Sequence, residues 1–167
     1  THPNGGRNNR TQDEFDEYSG SGTTVRSMRL RPLLRLLASQ PDFYASQQIL
    51  EINGLGAVRA CDVFLPFKSM SVMDQGRCLG VFGTIASVQY VQEDRTVWLN
   101  SGNVMEPSIC VPVGIATLLL EQFQIDYIDL FTGASVLMFG TVRVSQRGKP
   151  YVLLDAPQYL MVDFVQL

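Results

Sequence analysis

Asp126 and Asp129, three residues apart, come nearest in this chain to a paired carboxylate. Such a pair works as acid and base only where another group converges on the same substrate. None is visible here, and the two aspartates, following an apolar run, read as a solvated turn. His2 is the only histidine and stands in a polar N-terminal stretch. A Ser-His or Cys-His nucleophile therefore has no imidazole in the part of the chain that can fold. Cys61, Cys78 and Cys110 are odd in number, widely spaced and flanked by apolar residues such as Val63, Leu79 and Val111. They are expected to be buried thiols, neither a disulfide framework nor a zinc site. No Walker-type or GxGxxG phosphate loop occurs. The expectation is no enzyme, no cofactor, no metal and no small-molecule substrate.

Stacking is a chemistry the residue types do allow. Trp98, Tyr90 and Phe82 lie in β-rich sequence, with Arg77, Arg95, Arg143, Arg147 and Lys149 around them. Single-stranded nucleic acid is held by bases stacked on aromatic rings while cations follow the backbone, each base contributing about 1–3 kcal/mol. Two facts weigh against tight binding by this set. Alternation along a strand sends half of the side chains inward, and residues 61–167 carry six basic against ten acidic residues, a balance of −4 that repels phosphate. Protein is the second candidate ligand. The apolar end (Leu160, Met161, Val162, Phe164, Val165, Leu167) suits a surface buried against another subunit, or it finishes the last strand.

The elements that must position these residues follow from composition and pattern. With 167 residues, 46% hydrophobic and 17% charged, the chain can form one packed domain with an appendage. No apolar run reaches the roughly 18 residues of a membrane-spanning helix, and the start lacks a signal peptide's apolar stretch, so a soluble intracellular protein without membrane contact is expected. Residues 1–27 hold only Phe15, Tyr18 and Val25 to bury and read as a disordered tail, within which 13–18 mixes acids with two aromatics. Residues 28–60 read as an N-terminal helix and extension. There Pro32 suits a first helical turn, Leu33, Leu36 and Leu37 share a face, and Arg29, Arg31 and Arg35 flank it. Residues 49–52 make a short strand before the Asn53-Gly54 turn signal.

Residues 61–167 carry the main pattern. A long β-branched and aromatic strand at 79–91, with interior glycines that invite a bend, is followed by a turn at 93–95 and a strand at 96–100. A third strand at 108–113, a helix at 115–125, a strand at 134–144 and a hairpin into 151–154 complete the order, with 159–164 continuing after Pro157. Three strands, one helix and two strands, with glycines where a sheet must curl, predict an all-β domain. The expected architecture is a five-stranded OB-fold barrel with its helix between strands three and four. An incomplete β-sandwich is the alternative.

The 33–39 segment, the Gly-rich stretch before it and the OB-like order after it resemble the middle subunit of replication protein A and its counterpart in the telomeric CST complex. Leu79-Gly80-Val81-Phe82-Gly83-Thr84-Ile85 is similar to the apolar-Gly-apolar-apolar ending of the strand that follows the family's leucine-leucine helix. Leu137-Met138-Phe139-Gly140-Thr141-Val142-Arg143 with its basic turn is similar to a later one. The likeness covers about residues 28–164, and a fly telomere-capping protein and the single-barrel subunit of the RecQ-mediated genome instability complex are similar small relatives. The resemblance implies a nuclear subunit of a genome- or telomere-maintenance complex, assembled with a small OB-fold partner and contributing part of a single-stranded DNA groove. Family members continue into a helix and winged-helix modules; this sequence ends at Leu167, as a fragment or as a form without them. A self-sufficient single-strand binder is the competing expectation.

Overall fold

Backbone pairing joins the first strands of the described residues. A computed structural model describes residues 16–20 and 23–164, divided into two compact units at Val63/Phe64. In the first unit β1 (Asp16–Gly20), β2 (Thr23–Met28), β3 (Ile49–Ile52) and β4 (Gly56–Arg59) form a four-stranded sheet in that order. Of residues 1–27, expected to form a tail, 16–20 and 23–27 are extended backbone in β1 and β2. The β-branched Thr23, Thr24 and Val25 suit extended backbone, and β2 gains ladder hydrogen bonds from β3. Residues 1–15, with His2 and the first half of the acidic-aromatic stretch, lie outside the described residues. Helix α1 (Leu30–Ser39) buries Leu33, Leu34 and Leu37. Leu34 thus takes the place expected of Leu36, which is only half-buried. A single turn, α2 (Ala60–Val63), ends this unit.

The second unit holds the barrel: β5 (Phe64–Pro66), β6 (Cys78–Thr84), β7 (Ser87–Val91), β8 (Thr96–Asn100), β9 (Ser108–Pro112), helix α3 (Val113–Phe123), β10 (Ser135–Val144), β11 (Pro150–Leu153) and β12 (Leu160–Asp163). The sheet runs β5-β6-β10-β11-β9-β8-β7, with β12 also on β10. β9 and β11 run parallel, β6 and β10 antiparallel, as do β7 and β8. β6 and β7 are halves of one bent strand, broken at Ile85-Ala86. Among the described residues no ladder joins the two ends of the sheet, so the barrel is partly open; the chain itself bends from β6, paired with β10, into β7, paired with β8. The order of pairing, with α3 between β9 and β10, is that of the five-stranded OB-fold.

Strand parity sets what lies inside. Leu79 and Val81 of β6, Val97 and Leu99 of β8, Ile109 and Val111 of β9, Val136, Met138 and Val142 of β10 and Val152 of β11 all join one core cluster. Helix α3 contributes Ala116 and Leu119, and Phe131 packs edge-on against Phe123 and Phe164, centroids 6.2 and 5.3 Å away. The last helical residue before Ile125 is capped by Gln124 in the left-handed region, φ 55°. Asp126 and Asp129 follow it, exposed, at the 3-10 turn Ile128–Phe131.

Two expectations on burial are corrected. Of the three cysteines only Cys110 is buried; Cys61 and Cys78 are exposed, because neither falls on an inward position of its element. Leu160 and Val162, expected at a partner surface, are core residues of β12, and Phe164 packs on Phe123 and Phe131. β12 pairs with β10 along Ser135–Met138, so its alternate residues point into the barrel. Met161 lies on the outward face, opposite Leu137, and Val165 and Leu167 lie outside the described residues.

Candidate nucleic-acid interface

On β8, Val97 and Leu99 are inward, so Trp98 is outward, opposite Cys110 of β9 and Gln89 of β7. On β11, Val152 is inward and Tyr151 outward, opposite Ser108 of β9 and Arg143 of β10. The two rings come from strands on either side of β9 and meet edge to face with centroids 5.2 Å apart. They lean over β9, which explains a feature parity alone does not: Cys110 and Ser108 point outward and are nevertheless buried. The Lys149 ammonium, at the end of the β10–β11 turn, lies over the Trp98 ring, 4.9 Å from its centroid.

Charges around this platform register on its floor. Burial pushes the Cys110 thiol from 9.0 up to about 11, helped by the negative charge of Asp94 and opposed by Lys149 and Arg143. Burial also lowers the Lys149 pKa, with Cys110 pulling the other way. Further along the same face, Asn100 bridges two strands, its amide donating to Ser87 Oγ (3.2 Å) while its Oδ1 accepts from Ser108 Oγ (2.6 Å). This satisfied buried polar pair fixes the β7–β8–β9 register beside Trp98. Thr96 Oγ1, two residues before Trp98 on the same face, is buried without a hydrogen-bond partner; its opposite number on β9 is Pro112, which has no N–H to offer.

Of the residues expected to bind nucleic acid, Trp98, Lys149 and Arg143 come together. Arg147 sits exposed in the adjacent turn, and Arg95 in the 92–95 turn that leads into β8, where it holds a left-handed φ of 54°. Arg77 is at the start of β6, bound to Asp74 at 2.9 Å. Tyr90 and Phe82 do not join the platform. Tyr90 lies opposite Val97, hence on the other side of the sheet from Trp98. Phe82 lies opposite Leu137 and Pro66, on the outward face of β5, β6 and β10. Tyr151 joins Trp98 on the platform without having been expected there. The signal was present: Tyr151 has the parity opposite to Val152 and follows the basic turn directly.

Among the described residues no group of three or more His, Cys, Asp or Glu side chains converges as a metal site, and no helix is long and apolar enough to cross a membrane. The platform and the strand order together define an OB-type β-domain with an aromatic-cationic outer face. No protein-family model matches the chain, and no curated protein matches it. One similar solved structure is the crystal structure of the S. pombe Stn1-ten1 complex, with a TM-score of 0.34 and 11% identity. The likeness covers 54% of this chain and 59% of that chain, less than two thirds of its length. At that level it carries no weight here, and the fold rests on the strand pairings above.

Proposed function

We propose that this chain is a non-enzymatic OB-fold subunit of a nuclear genome- or telomere-maintenance assembly. In this reading it works with another small OB-fold protein and lends a shared site to single-stranded DNA. One observation carries the reading: the only tryptophan, a tyrosine and a lysine meet on the outward face of β8, β9 and β11, beside the turns 92–95 and 145–149. Small OB barrels hold oligonucleotides on that face and with those two turns. The residue likeness to the middle subunits of replication protein A and CST supports the choice of assembly.

Magnitudes favour a shared site over an autonomous one. A base stacked on Trp98 gains about 1–3 kcal/mol, but it must displace the Lys149 cation, whose contact with the ring is itself worth about 0.5–1 kcal/mol at a partly exposed site. Lys149 then serves a phosphate. The barrel's −4 balance opposes the approach of the strand as a whole.

A mobility-shift titration of the isolated chain with a single-stranded oligonucleotide at two salt concentrations tests this. Weak, salt-sensitive binding that Trp98→Ala abolishes, and that tightens with a small OB-fold partner, is the expected result. Tight binding by the chain alone would instead support the self-sufficient binder, and unchanged affinity in Trp98→Ala would remove the platform from the account.

A further inference from the structure

β7 has a second edge. It pairs with β8 alone, and the rest of its bent strand, β6, leaves it at Ile85-Ala86 to pair with β10. Past that break no ladder covers the outer side of β7 among the described residues. Backbone parity identifies which groups are open. Arg95 C=O accepts from Val113 N–H (3.0 Å) and Ser101 N–H donates to Pro107 C=O (3.1 Å), so the odd-numbered residues of β8 face β9. Thr96, Trp98 and Asn100 therefore face β7, and their register partners Val91, Gln89 and Ser87 face β8. That leaves the N–H and C=O of Val88 and of Tyr90 directed at the open edge.

The surroundings of this edge are apolar close in and acidic around the rim. Tyr90 is 54% exposed, and the 3-10 turn Ile128–Phe131, which packs against β7, presents Leu130 (52%) to solvent, with Tyr127 (69%) just before it. Glu93 follows β7 after Gln92, Asp126 precedes the 3-10 turn and Asp129 lies within it; all three are exposed, whereas the charge of Asp94 reaches Cys110 on the platform side. Arg95 is the one base in these two segments. Such a rim repels phosphate, so this surface is not an extension of the Trp98 platform.

We infer that the open edge of β7 takes an extended, basic segment of a partner protein as an added strand. The backbone groups of Val88 and Tyr90 would supply the ladder, Tyr90 and Leu130 an apolar seat, and Glu93, Asp126 and Asp129 the preference for Lys and Arg. The assignment is independent of the proposed DNA site.

The test uses the full chain and a fluorescein-labelled octapeptide of alternating lysine and valine. Anisotropy should saturate at low salt and weaken as salt rises. Amide hydrogen exchange at Val88 and Tyr90 should slow in the complex while exchange at Trp98, already in the ladder, stays as it was. Tyr90→Pro removes one outward N–H without touching a β8 bond and should weaken the peptide about tenfold. The double variant Glu93→Gln, Asp129→Asn should flatten the salt dependence. Absence of binding, equal affinity for an alternating glutamate-valine peptide, or unchanged exchange at Val88 and Tyr90 would overturn the inference. So would sedimentation showing that a second copy of the chain occupies the edge. The exchange measurement decides the matter on the unaltered protein if Tyr90→Pro does not fold.

Discussion

The barrel has two outward faces built by the same parity rule, and they end in different states. On β5, β6 and β10 the outward residues are Phe64, Phe82, Leu137 and Phe139. Phe64 and Phe139 meet edge to face at 6.0 Å, and Leu137 is fully buried. Gly80 is their seat, since a methyl group there would come within 2.8 Å of both rings. On β8, β9 and β11 the outward rings belong to Trp98 and Tyr151, and Lys149 lies over the Trp98 ring. An aromatic residue on an outward position is thus no sign of a ligand by itself. Its neighbours decide: aliphatic and phenyl groups make a second core, while cations and hydroxyls leave a surface that a base can take over.

Substitutions on each face should separate stability from binding. Leu137→Ala should cost about 2–5 kcal/mol of stability in urea unfolding, because it opens a cavity in a packed layer, with oligonucleotide affinity of the folded protein unchanged. Trp98→Ala should do the reverse. Unfolding should shift little, while oligonucleotide affinity should fall by about 1–3 kcal/mol in an anisotropy titration. If Leu137→Ala weakens DNA binding as much as Trp98→Ala does, the contrast between the faces is wrong. Gly80→Ala sharpens the same contrast at smaller scale: overpacking against Phe64 and Phe139 should cost about 1–3 kcal/mol by thermal unfolding, without effect on DNA.

Smaller effects probe the platform's charges. Lys149→Gln should reduce the salt slope of oligonucleotide binding by about 0.7, one phosphate's share for a single strand. Cys110 gives a pH signature. Its folded pKa, about 11, lies above the 9.0 of an unburied thiol. The unfolded chain therefore releases its proton first, and this contribution is whole below pH 9 and fades as pH rises toward 11. Melting curves between pH 8 and 11 should show the parent protein losing more stability than Cys110→Ala; parallel curves would mean that the rings do not shield the thiol.

Much of the barrel was legible because its signals are local. The apolar alternation of β8, the glycine-bearing strands, the basic turn at 145–149 and the helix between β9 and β10 all read directly from residue order. Strands β1 and β2 were not legible, since their ladder hydrogen bonds come from backbone that any sequence carries. The site was half legible. Composition picks out Trp98 and Lys149, but grouping them with Tyr90 and Phe82 needs parity across three strand pairs, and the bend at Ile85-Ala86 puts Phe82 and Tyr90 on different faces. Tyr151 was hidden because its meeting with Trp98 spans 53 residues of sequence and an intervening strand. The apolar run at 160–164 shows the opposite failure: hydrophobicity alone cannot distinguish a docking patch from a strand that completes the core, and here Leu160 and Val162 are the latter.

Trp98 is the only tryptophan in the chain, so its emission reports on the platform and nothing else. Titrating the protein with oligothymidylate at low salt and following that emission is the most direct measurement of the central claim. Saturable quenching is expected as a base replaces the Lys149 ammonium on the indole, with the signal lost on adding salt. Emission that stays constant while the oligonucleotide binds would place the DNA elsewhere and contradict that claim.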